Sequence, residues 1–229
     1  DKKDIVCNFQ DGGYGIVCND TNSGIGFVIH SGGYKNASVS LDTLTNGWHV
    51  FTGTFDGESI IFYIDGKEVA RTLQTGVIFY DANTPLAIGA NPTSTGVDYG
   101  YWYGIIDNVS IWNKALTQEE IQYYMNRRLD GNEENLVGYW TLDEGEGGIA
   151  HDLTANQNHG TIYNAEWTEG EVDLRLYLPQ PINNISYNTN QKSVGDTILI
   201  IWGESDGATR YELQYFQNEW ISINNNITN

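Results

Sequence analysis

Residues 47–72 read GWHVFTGTFDGESIIFYIDGKEVART. Trp48, Val50, Thr52 and Thr54 alternate with His49, Phe51 and Phe55, the two-residue period of a strand. Asp56-Gly57 is expected to supply the positive φ angles of a tight primed turn. SIIFYID then returns as a second strand, and Asp65-Gly66 turns the chain again into KEVART. The stretch predicts an antiparallel meander.

The same texture extends in both directions. Upstream, GYGIVCND and GIGFVIHSGG form two strands around an Asn/Gly turn at residues 20–24. Downstream, PLAIGAN and GIIDNVSIW add further short strands. Regular short strands without βαβ alternation predict an all-β sandwich. One helix interrupts the pattern, in LTQEEIQYYMNRRL. Thr117 and Glu120 form a capping box, and Leu116 with Ile121 staples the entry. Ile121, Tyr124, Met125 and Leu129 share a face, and Arg127 and Arg128 are expected in the last turn, complementing the helix dipole.

The 229-residue chain carries a formal net charge of −19 and a pI of about 4.2. Such a surface repels phosphate backbones and anionic lipid, which excludes nucleic-acid binding and electrostatic membrane docking. No apolar run reaches the ~20 residues that span a bilayer. The balance suits an extracellular, secreted or cell-surface protein, and also one that recruits divalent cations. Cys7 and Cys18 are the only cysteines. Two readings stand for them: small buried residues on neighbouring strands, or a disulfide across a hairpin.

NGWHVFTGTFDGESIIFYIDGKEV, PLAIGANP and GIIDNVSIWNKALTQEEI together resemble a laminin-G-like domain, a concanavalin A-like jelly roll of the kind repeated in large secreted bacterial proteins. The resemblance implies an antiparallel jelly-roll β-sandwich with one short helix, occupying residues 1–170. Residues 135–167, NLVGYWTLDEGEGGIAHDLTANQNHGTIYNAEW, look like the opening strand and loop of such a domain, yet they follow its end. About 30 residues cannot bury a core of their own. Residues 136–167 are therefore expected to fold back as a closing strand and loop, the alternative being a truncated second repeat. An edge left open would accept a strand from a missing upstream segment or a neighbouring chain. Residues 171–182 form a connecting strand and linker, with EVDLRLYL alternating as a half-buried strand. Residues 183–229 resemble the start of a fibronectin type III domain, with Trp202 and Tyr211 at core positions.

Three kinds of chemistry follow. Related glucanases carry a Glu-x-Asp-x-x-Glu run that places two carboxylates on one strand face. Here Glu171 and Asp173 lack the second Glu and are read as a solvated face. The histidines at 30, 49, 151 and 159 show no HExxH pattern, so no catalytic residue is assigned. The resemblance implies a structural Ca²⁺ near the last strand, where Asp107 matches. Separately, DLTANQN offers Asp152, Thr154, Asn156 and Asn158 as hard oxygen donors, against the alternative of a turn that caps its own backbone. Finally, STGVDYGYWYG concentrates Asp98, Tyr99, Tyr101 and Tyr103 beside Trp102. Aromatic faces with a carboxylate suit sugar rings, and Tyr14, Tyr34 and Tyr80 are candidates to join them; Trp102 is expected in the core. The functional expectation is a non-catalytic adhesion or carbohydrate/protein-binding module whose partner is a glycan or extracellular protein. The rival is a structural spacer without a small ligand.

Overall fold

Alternating apolar residues build two facing sheets. In this computed structural model, residues 2–8, 12–19, 24–80, 84–93, 96–125, 127–168, 186–187, 200–201, 211–216 and 220–227 are described. They fall into two units. The first spans Asp1–Met125 and Leu129–Val172, the second Asn126–Arg128 and Asp173–Asn229.

The first unit opens with β1 (Lys2–Cys7), β2 (Tyr14–Asn19), β3 (Gly24–His30) and β4 (Tyr34–Ser40), followed by β5 (Phe51–Phe55), β6 (Ser59–Ile64), β7 (Lys67–Leu73) and β8 (Ala87–Ile88). One antiparallel sheet runs β4-β3-β2-β1-β8 and a second runs β5-β6-β7. Residues opposite one another in a ladder share a face. The register Ile25↔Val39, Phe27↔Ala37 and Ile29↔Lys35 turns one row of β3 inward. Gly53↔Phe62 and Phe55↔Ile60 turn the matching row of the second sheet toward it. Ile5, Ile25, Phe27, Ile29, Ala37, Ile60 and Phe62 form the core between them. Burying each large side chain is worth about 1.5–3 kcal/mol. The sheets approach closely at Gly53: a Cβ there would lie 2.1 Å from Cγ of Phe27.

The turns differ in kind. Asp65 and Gly66 both have positive φ, 50° and 70°, as a primed turn requires. At the other end only Gly57 does, at 92°. There Asp56 Oδ1 instead accepts from the backbone N–H groups of Glu58 and Ser59, an Asx-type turn that corrects the expected primed one.

Past β8 the chain forms the hairpin β9 (Asn91–Thr93) and β10 (Gly96–Tyr99), then β11 (Val109–Trp112), the helix α1 (Gln118–Tyr124), β12 (Leu136–Trp140), β13 (Ile149–Ala150) and β14 (Gly160–Thr161). Thr117 and Glu120 make the reciprocal capping box. Leu116 and Ile121 pack on Ile61 and Tyr63, the outer face of β6. So short a helix is held by its cap and this packing rather than by propensity. It ends at Tyr124, with no basic residue in its last turn. Arg127 and Arg128 therefore lie beyond it, a correction to the expected dipole partners.

β12 pairs antiparallel with β11, Val109 opposite Trp140 and Ser110 opposite Tyr139. It is buried on both faces: Leu136, Tyr139 and Trp140 are all buried. In the second unit β15 (Ser186–Tyr187) pairs with β16 (Ile200–Ile201), and β17 (Tyr211–Phe216) with β18 (Trp220–Ile227). Nothing in these pairs shows a fibronectin type III domain. EVDLRLYL and Trp202 lie outside the described residues.

The disulfide does not form. Cys7 and Cys18 are separate buried thiols. Cys7 stands opposite Gly15 and Cys18 opposite Lys3, with a bulge between Asp4 and Val6. The two side chains thus lie on opposite faces of the sheet. Cys7 Sγ donates instead to the carbonyl of Ala90 at 3.3 Å.

Candidate functional site

An exposed aromatic corner closes one end of the five-stranded sheet. The β3–β4 turn is made by Gly32 and Gly33, with φ of 67° and 115°, and it sets His30 opposite Tyr34. Their rings meet edge to face at 4.9 Å and 75°. Phe79 meets His30 from another side at 6.1 Å and 76°, and Tyr80 meets Tyr14 at 6.1 Å and 87°. The segment carrying Phe79 is not a strand, yet its position is fixed by the main chain. Gly13 N donates to Phe79 O, His30 N to Gly13 O, and Phe79 N to His30 O, at 2.6, 2.8 and 2.9 Å. Tyr34, Phe79 and Tyr80 remain more than half exposed, at 54%, 52% and 60%. Tyr14 sits deeper; burial, aided by Tyr80, pushes its phenol up to about 12. Nδ1 of His30 is buried without a partner among the described residues.

From this corner a face extends along β3 and β4. The rows turned away from the core are Gly24, Gly26, Val28 and His30, opposite Ser40, Ser38, Asn36 and Tyr34. All four β4 residues of that row are exposed. Over β1 and β2 the same face is covered. Asn91 Nδ2 donates to Asp4 Oδ2 at 2.7 Å, deep in the structure. Asp4 N donates to Gly100 O, and Cys7 reaches Ala90. The β9–β10 hairpin thus stands on β1.

The residues singled out in 98–103 spread along this hairpin and the loop after it. Asp98 and Tyr99 lie in β10; their side chains are outside the described residues. Tyr101 is 43% and Tyr103 79% exposed, and Lys3 Nζ sits 3.9 Å from the Tyr103 ring centre. Trp102 packs against the main core. Sequence reasoning passed over His30 and Phe79. Residues 77–80 follow no strand period, so only the run of large apolar residues in VIFY hinted at them.

A family model for the concanavalin A-like lectin/glucanases superfamily matches residues 1–122. The chain belongs to that superfamily. A solved structure described as "a putative carbohydrate binding protein" from Bacteroides ovatus is similar in fold, with a TM-score of 0.56 and 22% identity. The likeness covers 70% of this chain and 47% of that one, so the chain spans about half its length. A search of curated proteins found no match.

The superfamily takes its name from both lectins and glucanases, so catalytic and metal-binding groups need testing residue by residue. His49 Nδ1 lies 2.8 Å from Asp65 Oδ2, and its Nε2 lies 3.3 Å from Thr45 Oγ1. This is no catalytic relay, because Nε2 points at the Thr45 carbonyl at 3.0 Å. Burial lowers the His49 pKa, but the bonds to Asp65 and Thr45 outweigh it and leave it raised. Glu171 and Asp173 lie outside the described residues.

Asp152 is 3% exposed and organises its own loop. Oδ1 accepts from Tyr139 N and Thr154 N, and Oδ2 from Thr154 Oγ1 and Asn158 N. Asn156 and Asn158 turn their amides to the carbonyl of Val137. These donors do not fit a calcium ion, since the carboxylate's acceptor sites are spent on protein N–H and O–H groups. Asp107 is half-buried beside Asn108, whose Oδ1 accepts from the Tyr139 hydroxyl. Among the described residues no three His, Cys, Asp or Glu side chains are grouped to hold a metal.

Proposed function

We propose that this chain is a non-catalytic carbohydrate-binding module of a larger secreted or surface protein. The carrying observation is the corner where exposed Tyr34 and Phe79 flank the half-buried His30, with His30 and Phe79 fixed by main-chain hydrogen bonds. Sugar rings present C–H faces that stack on aromatic rings, while their hydroxyls seek amide and imidazole partners. Membership of a superfamily containing lectins supports this reading, as does the fold shared with the Bacteroides ovatus protein. The non-catalytic part is supported by His49, whose bonds make it a clamp rather than a base. Tyr101 and Tyr103 are the second candidate contact, across the hairpin. The acidic charge, −19, supports a secreted or surface setting.

A glycan array followed by titration calorimetry tests the proposal. Tyr34→Ala and Phe79→Ala should each cost about 1–2 kcal/mol of binding free energy without lowering the melting temperature by more than a few degrees. Affinity untouched by both substitutions would move the site elsewhere. Silence across the array would favour a structural spacer.

A further inference from the structure

Resting on the carbohydrate-binding reading, we infer that the ligand is an extended, soluble glycan chain laid along the outer row of β4, one sugar ring seated in the His30 corner. Tyr34, Asn36, Ser38 and Ser40 stand in one row on β4, all exposed. The strand's seven residues give a track of about 20 Å at the usual rise. It begins with an aromatic ring and continues as an amide and two hydroxyls. Such a row offers stacking at one end and hydrogen bonds along its length. Asn36 Nδ2 donates to Ser38 Oγ at 3.1 Å, which orients both groups side by side. Thr72 Oγ1 donates to Asn36 O at 2.8 Å, tying this edge of β4 to β7.

Beside the track the face is kept low. Gly24, Gly26 and Val28 form the neighbouring row of β3. A side chain at Gly26 has no room: its Cβ would lie 2.4 Å from Ser38 Cβ and from Ala37 O. Farther across, the β9–β10 hairpin rises over β1, held by Asn91 on Asp4. The exposed face thus pairs a polar track along β4 with a row of two glycines and one valine along β3.

The corner's rings select the form of the ligand. His30 meets Tyr34 at 75° and Phe79 at 76°, so these rings make no flat platform for the face of a crystalline polysaccharide. A single sugar ring fits such an angle. Nδ1 of His30 is buried without a partner among the described residues, on the ring that both Tyr34 and Phe79 meet.

The test uses the chain as it stands. Calorimetry is run with cello-, xylo-, manno- and chito-oligosaccharides from disaccharide to hexasaccharide, alongside pull-downs on microcrystalline cellulose and chitin. Within the series that binds, affinity should rise by about tenfold or more with length, and neither solid should retain the protein. Ser38→Arg, at an exposed position, should cut hexasaccharide affinity by about tenfold and weaken disaccharide binding far less; an unchanged melting temperature of the variant controls for folding. Equal affinity for disaccharide and hexasaccharide would overturn the extended-chain inference. So would an indifferent Ser38→Arg, or retention on a crystalline solid through Tyr34 and Phe79. These outcomes leave carbohydrate binding intact, whereas no binding to any saccharide removes both.

Discussion

Replacing Asp152 by Ala should unlatch the segment that follows β12. The carboxylate accepts four hydrogen bonds, from Tyr139 N, Thr154 N, Thr154 Oγ1 and Asn158 N, at 2.9–3.0 Å. Hydrogen bonds to a charged group are worth about 1.5–3 kcal/mol each, and buried donors left alone add a desolvation cost. Some of these donors regain water once the side chain is gone, so the expected net loss is about 4 kcal/mol. In a unit of this size each kcal/mol lowers the midpoint by about 2–4 °C, which gives a fall of about 8–16 °C. Asp152→Asn keeps one acceptor oxygen for Tyr139 and Thr154 but sets an amide N–H against Asn158 N; about half the loss is expected. Calorimetric melts at neutral pH measure both. The acid limb supplies a second readout. Burial would raise the Asp152 carboxyl, but its hydrogen bonds hold it below the ordinary value. Its stabilisation is therefore complete above about pH 4 and is lost as the pH falls through the lower folded value. Asp152→Ala should flatten that limb. A melt within about 2 °C of the parent, on the scale used above, would refute the idea that this carboxylate holds the loop.

Three further outcomes are expected. His49 has a folded pKa above its ordinary value, so its stabilisation is full below about pH 6.5 and fades as pH rises through the folded value; stability profiles of the parent and His49→Gln should converge at alkaline pH, and parallel curves would contradict this. Gly53→Ala should cost about 1–3 kcal/mol, because the added Cβ falls 2.1 Å from the Phe27 ring; an unchanged denaturation midpoint would mean the sheets pack otherwise. Both cysteines, being buried thiols, should resist Ellman's reagent in the native state and react fully in guanidinium; no thiol released on denaturation would restore the disulfide.

The sheet meander was legible because its information is local. Period-two alternation in β5 and β6 and the paired positive φ of Asp65 and Gly66 are written in adjacent residues. The capping box at Thr117 and Glu120 is equally local. The disulfide was not legible, since a bulge between Asp4 and Val6 decides which face each thiol occupies. The Asp56 turn also escaped, because a side-chain oxygen replaced the backbone geometry that its sequence suggests. At the candidate site Tyr14, Tyr34 and Tyr80 stood out by residue type. Their grouping with Phe79 depends on a contact between Gly13 and Phe79, which joins residues far apart in the chain and leaves no periodic trace. The loop at Asp152 shows the reverse case: an oxygen-rich sequence suited a cation, and the fold turned the Asp152 carboxylate onto its own donors.

The three-way link of Gly13, His30 and Phe79 uses backbone atoms alone. The rings it displays can therefore be exchanged without disturbing what holds them. Phe79 could become Trp, Asn or Arg while the chain kept the same path, because no hydrogen bond in the link belongs to a side chain. A mount of this kind separates inheritance of shape from inheritance of taste. One such protein could pass its scaffold unchanged to descendants that present different surfaces, with a few exposed codons as the cost of each change.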